Sequence, residues 1–337
     1  MQKGIRRGHI RMTPEPPLPP RKRRRKKRKT GLQRLFRFVV LLFVIILVYG
    51  GYVLYEAYDA SQSLYYALER GEKSELRENT VKIADDPVSI LILGVEEYAT
   101  EGQNGRTDTI MLVTLNPYTK SMKMISIPRD TRIEIVGKDR EDKINHAHAF
   151  GGTEMAIETV EKFLNVPIDY FIKINFEGFI DIVDEIGGIT VDVPFDFSEN
   201  TTKKGEKAYF KKGPMHLTGE EALAYARMRK QDPRGDFGRN DRQKQVLKAS
   251  IDQALTMTTL FKVDKIADHI GDNIQTNLKP MEILALQKKY ATIDTSTIDN
   301  LTIDGSDHYE NGVYYFIPNE MSVDSLQIRL RVHLNLD

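Results

Sequence analysis

The sixteen residues from Arg227 to Arg242 have the side chains best suited to binding phosphate. They comprise five arginines, one lysine and three aspartates among other residues. The planar guanidinium group of arginine forms two hydrogen bonds to a phosphate at once, so this segment is a candidate phosphate-binding site. Three acids would hold the arginines in place without a ligand: Asp232, Asp236 and Asp241. The alternative is a charged turn and helix start that form only surface ion pairs.

The spacing of these side chains favours a site at the start of a helix. Arg239, Arg242 and Gln243 occupy positions i, i+3 and i+4 of a helix predicted to begin near Arg239, so they share one face. This helix follows a glycine-containing loop, and the N-terminus of a helix favours anions. Arg227 and Arg229 converge only if the preceding helix ends there, or if a substrate passes between them.

A second group of charged residues lies at the ends of predicted strands. Three apolar runs predict neighbouring strands of one sheet: Val88–Leu93, Thr109–Leu115 and Met122–Ile127. Glu96 follows the first run and Asp108 precedes the second, so their carboxylates would meet if these two strands are antiparallel. Two carboxylates without His or Cys suit a hard cation such as Mg²⁺, or Mn²⁺ in its place.

The alternation of strand-like and helix-like runs indicates an α/β fold. The expected architecture is a three-layer sandwich, in which helices flank a central mixed β-sheet, preceded by one transmembrane helix. Helices are predicted at residues 153–164, 177–186, 219–228, 239–260 and 281–290, the third of them opened by a capping box at Thr218. Further short strands are predicted at residues 170–174, 189–193, 301–303, 313–316 and 326–330.

Charge is distributed unevenly along the 337 residues, although 49 Lys and Arg nearly balance 48 Asp and Glu. Residues 1–37 have a net charge of +14, and the remaining 300 residues have −13. An acidic body argues against general nucleic-acid binding, because affinity for a duplex comes mainly from neutralising its phosphates. The sequence contains no cysteine, which excludes disulfides, a lipoprotein thiol and Cys-ligated zinc.

Residues 38–55 predict a membrane anchor. These eighteen residues contain no charge, and as a helix they would span about 27 Å, close to the thickness of a bilayer core. The basic cluster before them predicts a cytoplasmic N-terminus and an exported body, with a cleaved signal peptide as the alternative. The predicted domains are a disordered basic tail (1–37), the anchor (38–55), an extracytoplasmic stalk (56–86) and a catalytic domain (87–337).

Four separated motifs resemble the LytR–CpsA–Psr family of Gram-positive wall-assembly proteins. In order, they are GVEEYATEGQNGRTDTIMLVTLNP, KMISIPRDT, KINHAHAFGG and GEEALAYARMRKQDPRGDFGRNDRQKQVL. The resemblance implies an extracytoplasmic phosphotransferase that moves an anionic glycopolymer, such as teichoic acid or capsule, from a polyprenyl-pyrophosphate carrier to peptidoglycan. It also implies a single-pass type II protein in the cell membrane of a Gram-positive bacterium.

The resemblance implies roles for individual residues as well. Asp108 matches a metal ligand, Arg106 a neighbouring catalytic or phosphate-contacting arginine, and Asp236 an acid near the substrate. The positions that match pyrophosphate contacts are Arg129, Arg227, Arg229, Arg239 and Gln243. Glu96 stands where the family commonly has Asp, so it would bind the metal directly, through water, or leave that role to Glu97. An apolar tunnel for the polyprenyl tail would come from residues 155–164, 179–186 and 246–260.

The reaction implied is metal-assisted phosphoryl transfer. A hydroxyl of the acceptor sugar attacks the phosphorus attached to the polymer, and polyprenyl phosphate leaves. Either Asp108 or Asp236 would help to deprotonate the hydroxyl. Two alternatives use the same residues differently. One is a polyprenyl-pyrophosphate hydrolase with water as the acceptor, and the other is a non-enzymatic, membrane-bound regulator of envelope functions.

Overall fold

A six-stranded mixed sheet forms the centre of the structure. The computed structural model describes residues 65–96, 105–256, 273–290 and 297–336. Its strands are β1 (Val88–Glu96), β2 (Arg106–Asn116), β3 (Ser121–Ser126), β4 (Arg132–Ile135), β5 (Arg140–Lys143), β6 (Tyr170–Ile174), β7 (Ile189–Val193), β8 (Phe197–Asn200), β9 (Lys207–Phe210), β10 (Gly213–Leu217), β11 (Ile274–Thr276), β12 (Asp299–Leu301), β13 (Gly305–Glu310) and β14 (Val313–Pro318). The central sheet has the order β11-β6-β1-β2-β3-β12.

The strands in the middle of this sheet are apolar on both faces. β2 pairs with β1 and with β3 in antiparallel register, whereas β6 is parallel to β1. Along β1, Leu91 and Leu93 contact the core on one face, and Ile90 and Ile92 contact the core on the other. Burial on two faces is typical of central strands. The prediction that the first three strands are neighbours is confirmed.

Helices cover both faces of the sheet and complete a three-layer arrangement. In the described ranges they are α1 (His146–Leu164), α2 (Phe176–Glu185), α3 (Gly219–Arg227), α4 (Asp236–Thr256), α5 (Pro280–Tyr290) and α6 (Glu320–His333). Helices α1 and α6 pack on the core that contains Leu91, and α4 and α5 pack on the core that contains Ile90. The predicted α/β sandwich with a mixed central sheet is confirmed.

The predicted transmembrane helix, residues 38–55, lies outside the described residues. Among the helices that the structure does describe, none combines the length and the apolar character that a membrane crossing requires. The described part of the predicted stalk, residues 65–86, contains turns and no helix. It is joined to the body by three ion pairs between described residues: Arg77 with Asp169 at 2.6 Å, Arg70 with Glu161 at 2.7 Å and Glu72 with Lys279 at 2.6 Å.

A separate apolar cluster supports the arginine-rich segment. Helix α3 packs on the strands β7 to β10, and the ring of Tyr225 is fully buried against Phe197 and Phe210. The predicted capping box is present: Thr218 Oγ1 accepts from the Glu221 N–H, and the Glu221 carboxylate accepts from the Thr218 N–H. Since the cap fixes where α3 begins, it also fixes the position of the residues that follow its last turn.

The strand predicted at residues 326–330 is wrong, because these residues lie inside α6. Leu326 and Leu330 are four residues apart and face the core together on a helix. Asn319 begins this helix, since its side-chain oxygen accepts from the Ser322 N–H at 3.0 Å. A short apolar run fits a strand or a helix equally well, and here the N-cap indicates the helix.

His333 gives the fold an expected sensitivity to acid. Its side chain is buried, and its two ring nitrogens hydrogen-bond with Thr114 Oγ1 and Ser121 Oγ, both at 2.8 Å. Burial, and then the charge of Lys123, lower the pKa of His333 from 6.5 to about 4. The unfolded chain therefore takes up this proton before the folded protein does. The stability that depends on neutral His333 is complete above the unfolded pKa and is lost as the pH falls towards the folded one.

We expect the free energy of unfolding to fall by about 3 kcal/mol through this group as the pH drops across that window. His333→Gln retains hydrogen-bonding capacity but has no proton to take up, so its stability should depend less on pH by that amount. Urea unfolding of both proteins at several pH values measures the difference. Parallel pH profiles for wild type and variant would exclude His333 as the cause.

Candidate active site

A cavity of about 1020 Å³ lies among the central sheet, α2, α3 and α4. Part of its wall is apolar, with side chains that include Ile92, Met111, Ile172, Phe179, Val183 and Leu247. Another part is basic and includes Arg129, Lys207, Arg227, Arg229, Lys230 and Arg239. The basic part can neutralise an anion, and the apolar part can remove hydrocarbon from water. The cavity therefore suits a ligand that has both a long apolar portion and a polyanionic portion.

A β-bulge turns Asp108 into this cavity. Gly94 of β1 pairs with Thr109, and Val95 pairs with Thr107, so Asp108 has no partner in the register. Both Asp108 and its neighbour Thr109 line the cavity. In a regular strand, adjacent side chains point to opposite faces, and the extra residue of a bulge removes that restriction. Bulges of this kind commonly re-aim a side chain beside an active site.

Arg129 follows β3 and is held by two acids. Its Nη1 donates to Asp108 Oδ1 at 2.5 Å, and its Nε lies 3.4 Å from Asp130 Oδ2. Asp130 also pairs with Lys143 at 2.7 Å. Burial acts to lower the pKa of Arg129, but Asp108 and then Asp130 act against it, and the net pKa is above its ordinary value. Arg129 is thus a permanent cation fixed beside Asp108.

The end of α3 lets two more arginines line the cavity together. α3 ends at Arg227, and the next residue, Met228, has φ −56° and ψ 130°, which is not helical. Arg227 and Arg229 both line the cavity. Their spacing predicts that these two arginines converge if the helix ends between them, and it does end there. The guanidinium of Arg227 lies 4.6 Å from the ring centroid of Phe176, a cation–π contact that orients it.

Asp236 joins two of the arginines that line the cavity. Its Oδ2 lies 3.0 Å from Nη2 of Arg229, and its Oδ1 lies 2.8 Å from Nη2 of Arg239. Arg239 is only 7% exposed, so burial lowers its pKa and Asp236 partly offsets that effect. Arg239 and Gln243, one turn apart on α4, both line the cavity. Asp236 itself is not among the lining residues and acts on the two arginines instead.

Asp232 and Arg242 support the segment from inside. Their side chains are 1% and 2% exposed, and Arg242 Nη1 lies 2.5 Å from Asp232 Oδ2. Arg242 also donates to the backbone carbonyls of Tyr225 and Met228, at the end of α3. Gly238 makes room for the buried acid, because a Cβ at that position would lie 1.8 Å from Asp232 Oδ2. Arg242 therefore fixes the loop between α3 and α4 and does not line the cavity.

The third acid of the segment forms a surface pair. Asp241 Oδ2 lies 2.7 Å from Nη1 of Arg234, and about half of each side chain is exposed. Together with the pairs formed by Asp232 and Asp236, this confirms the expectation that the three aspartates hold the arginines in place. The segment thus contains a buried pair, a pair of cavity-lining arginines joined by one acid, and an exposed pair.

The structure does not bring Arg106 and Glu96 into the cavity wall. The two residues are partners in the β1–β2 register, neither lines the cavity, and Arg106 is exposed. Glu97 lies outside the described residues. Of the two predicted metal ligands, Asp108 is therefore the one whose side chain lines the cavity.

A divalent cation at Asp108 would need ligands from its substrate. Within the described ranges, no group of three or more His, Cys, Asp and Glu side chains is placed to hold a metal ion. Asp108 Oδ1 accepts from Arg129, and Oδ2 forms no hydrogen bond to a described residue. Mg²⁺ commonly binds one or two carboxylates and completes its shell with phosphate oxygens and water, so this donor set fits the ion.

Residues 51–332 match the model of the LytR_cpsA_psr family. The chain belongs to the LytR–CpsA–Psr family. One relative is the polyisoprenyl-teichoic acid–peptidoglycan teichoic acid transferase TagV of Bacillus subtilis (strain 168), which is 48% identical over 309 residues, 90% of this chain and 79% of TagV. A second relative, the transferase TagU of Halalkalibacterium halodurans, is 43% identical over 295 residues, 87% of this chain and 94% of TagU.

Solved structures of LytR–CpsA–Psr proteins have the same fold. The crystal structure of B. subtilis TagV aligns with a TM-score of 0.69 at 49% identity, over 75% of this chain and 99% of that chain. The B. subtilis protein YwtF (TagT), solved with a bound octaprenyl pyrophosphate lipid, aligns with a TM-score of 0.64 at 31% identity. That alignment covers 80% of this chain and 100% of the YwtF chain.

Two of the three regions that the resemblance implied for a lipid tunnel do line the cavity. They contribute Phe179, Ile182, Val183, Val246 and Leu247. The third region, residues 155–164, does not contribute, so that expectation is wrong. These residues belong to α1 on the other face of the sheet, where Ile157, Val160 and Leu164 are buried in the core. An apolar helix stripe predicts burial but does not indicate against which face of a sheet.

Some cavity residues were not predicted from the sequence. The β8–β9 hairpin contributes Ser198, Glu199, Asn200 and Lys207. Gln231 ties this hairpin to the arginine-rich segment, since its side-chain amide donates to the Ser198 carbonyl and accepts from the Ser198 N–H. Asn175, at the C-terminal end of β6, also lines the cavity. The tendency of sites to form beyond strand ends would have identified Asn175, whereas no motif marked the hairpin.

Proposed function

We propose that this protein is a membrane-anchored, extracytoplasmic phosphotransferase that attaches an anionic glycopolymer, teichoic acid or capsule, from a polyprenyl-pyrophosphate carrier to peptidoglycan. The observation that carries the proposal is one cavity in which four arginines adjoin an apolar wall. A free nucleotide or sugar phosphate would use the arginines and leave the apolar wall without a partner. A neutral lipid would leave the basic part of the wall without an anionic ligand. A lipid pyrophosphate uses both.

The names of the relatives support this choice of substrate. TagV and TagU are named polyisoprenyl-teichoic acid–peptidoglycan teichoic acid transferases, and YwtF was solved with octaprenyl pyrophosphate. The predicted anchor at residues 38–55 would hold the domain beside the membrane in which such carriers reside. On this proposal the protein is a single-pass type II protein of a Gram-positive cell membrane, with a cytoplasmic N-terminus.

The chemical step is a substitution at phosphorus. An acceptor sugar hydroxyl attacks the phosphorus attached to the polymer, forming a new P–O bond. The bridging P–O bond of the pyrophosphate breaks, and polyprenyl phosphate leaves with the electron pair. The hydroxyl proton passes to a nearby carboxylate. Since negative charge is present on both phosphates throughout, the protein contributes positioning and charge stabilisation.

The cavity residues divide this work. Arg129, Arg227, Arg229 and Arg239 supply the positive charge, and Gln243 supplies a neutral hydrogen-bonding side chain beside Arg239. Asp236 has both oxygens engaged by Arg229 and Arg239, so we assign it a positioning role. Arg106 does not line the cavity, and its proposed role as a catalytic or phosphate-contacting arginine rests on the family resemblance.

Asp108 is the carboxylate that meets the substrate. One of its oxygens holds Arg129, and the other is available to a hydroxyl proton or to a divalent cation. Mg²⁺ or Mn²⁺, when bound there, would neutralise phosphate charge and polarise the P–O bond. Glu96 is the second proposed ligand, since the strand pairing places its backbone two residues from Asp108 along β2.

The substitution Asp108→Asn tests this assignment. The amide keeps the size of the side chain but removes its charge, so we expect the transfer rate to fall by about 100-fold. We also expect the concentration of Mg²⁺ needed for half-maximal activity to rise. The assay mixes purified protein, lipid-linked polymer and peptidoglycan and measures the covalent conjugate. Asp241→Asn, at a half-exposed surface acid, is the matched control and should behave as wild type. Equal rates for both variants would refute the role given to Asp108.

A further inference from the structure

A strip of aromatic side chains runs from the arginine-rich segment onto the β13–β14 hairpin. This aromatic strip consists of Phe237, Phe316, Tyr314 and Tyr309. The rings of Phe237 and Phe316 are in edge contact at 6.2 Å, and those of Tyr314 and Tyr309 at 5.4 Å. Phe316 and Tyr314 are two residues apart on β14 and therefore share a face, and Tyr309 pairs with Tyr314 across the hairpin. The strip begins next to Asp236.

The strip is anchored at one point and open at its ends. Phe316 is 1% exposed and belongs to the main core, whereas Tyr309 is 70% exposed and Phe237 is 52% exposed. Every residue of β13 is exposed. Packing in the core explains the position of Phe316 but not the exposed rings of Tyr309 and Phe237. Aromatic side chains placed in a row on a surface are characteristic of binding sites.

Backbone contacts fix the β13–β14 hairpin to the residues that follow Arg129. The Phe316 N–H donates to the Asp130 carbonyl at 2.9 Å, and Thr131 and Phe316 form an isolated parallel bridge. Asp130 directly follows Arg129, which lines the cavity. On the neighbouring residue of β14, the ring of Tyr315 is covered by the cation of Arg132 at 5.3 Å. The aromatic strip therefore has a fixed position relative to the cavity.

The hairpin has two acids, and His308 is its one side chain that can become a cation. Its residues 305–318 include Asp307 and Glu310 but no Lys or Arg. Tyr314 donates its hydroxyl to Asp307 at 2.8 Å. Burial raises the pKa of Tyr314, and the negative charges of Asp307 and, within the site, of Asp236 raise it further. The cations that lie over Tyr315, Arg132 and Lys143, pair with Glu310 and Asp130. The hairpin surface therefore offers little positive charge to an anionic membrane or an anionic polymer, so the expected occupant is uncharged along its contacting face.

We propose that the aromatic strip binds the glycan strand of peptidoglycan and delivers its acceptor hydroxyl to the cavity. A pyranose ring has an apolar C–H face that packs on an aromatic ring, and hydroxyls at its edge that hydrogen-bond with groups such as Asp307. The strip offers both, and it ends beside the arginines that would hold the phosphate. This proposal rests on the proposed function, because it names the surface for the second substrate of the same reaction.

Direct binding of the acceptor tests the proposal without the chemical step. The probe is soluble peptidoglycan fragments, titrated into the full-length protein in detergent micelles without a lipid donor. Tyr309→Ala should weaken their binding by about 5-fold, since one stacked ring is lost. Tyr118→Ala is the matched control, because Tyr118 is 66% exposed and lies in the turn between β2 and β3, away from the strip. The control should bind like wild type.

Two further measurements separate this proposal from the proposed function. Affinity for polyprenyl pyrophosphate should be unchanged in both variants, which shows that the cavity is intact. In the transfer assay, Tyr309→Ala should raise the half-saturating peptidoglycan concentration by a similar factor, with the rate at saturation nearly unchanged. A wild-type protein that binds donor and fragments but makes no conjugate would refute the transferase and leave the glycan site standing.

Three outcomes would overturn the glycan site. Tyr309→Ala could bind the fragments as tightly as wild type, or Tyr118→Ala could lose as much affinity as Tyr309→Ala does. In the third, Tyr309→Ala could lose binding to vesicles of anionic phospholipid while its binding to the fragments stays unchanged, which would assign the strip to the membrane.

Discussion

Replacing Arg227 with alanine should lower kcat/KM for polymer transfer by two to three orders of magnitude, in the range found when a preorganised charge is removed from a transition state. Arg227 lines the cavity and is oriented over the ring of Phe176. It forms no ion pair with another residue that the structure describes, so its loss should leave the fold intact. The rate is measured as conjugate formed at limiting donor concentration, and the melting temperature is recorded alongside.

Arg234→Ala is the matched control for this prediction. Arg234 belongs to the same segment, and its side chain is 56% exposed and pairs with Asp241 at the surface. It does not line the cavity. Its removal should change the rate less than two-fold, since exposed ion pairs contribute little. If the Arg227 and Arg234 variants lost activity equally, the segment would act through its overall charge and not through the cavity.

The largest expected effect on stability comes from Arg242→Met. Methionine has a similar length but no charge, so it would leave Asp232 buried without its partner and the carbonyls of Tyr225 and Met228 without a donor. Breaking a buried pair in this way costs about 3–5 kcal/mol. For a domain of this size, the melting temperature should fall by roughly 10 °C. Calorimetry or urea unfolding of the purified protein measures the change.

A second substitution distinguishes the buried pair from a simple packing defect. Adding Asp232→Asn to Arg242→Met replaces the buried charge with a neutral amide, so the double variant should recover part of the stability. Hydrogen bonds from Arg234 N–H and Arg242 hold the pKa of Asp232 below its usual value against the opposing effect of burial. The surface counterpart, Arg234→Met, should cost under about 1 kcal/mol. Equal losses in Arg242→Met and Arg234→Met would show that burial of the pair is unimportant.

The elements that could be predicted from the sequence are those with strong local signals. The runs at residues 88–93, 109–115 and 122–127 are apolar on both faces and end at Gly or Pro, so β1, β2 and β3 were identified as neighbours. Thr218 and Glu221 form a capping box, which located the start of α3. The strands β8 and β13 lack such a pattern, since β8 has one buried residue and every residue of β13 is exposed, so no apolar run marks them.

The candidate site divides in the same way. The composition of the arginine-rich segment predicted that its aspartates pair with its arginines, but it did not predict which acid pairs with which arginine. Helical spacing alone could not assign Arg242 to the interior and Arg239 to the cavity, since both share one face of α4 and differ only in what packs on them. The family resemblance was the signal that singled out Arg239. The exposure of Asp108 to the cavity depends on a register shift at Gly94 and Val95. No residue of the local sequence specifies that bulge.

The fate of the phosphorus that carries the polymer tests the proposed transfer most directly. The donor is prepared with a radioactive label at that phosphorus, incubated with the protein and with peptidoglycan, and its products are separated. Transfer places the label in peptidoglycan, in amounts equal to the polyprenyl phosphate released, and Arg227→Ala suppresses both. Label that appears only on soluble polymer phosphate, in equal amounts with and without peptidoglycan, would contradict the transfer and identify water as the acceptor.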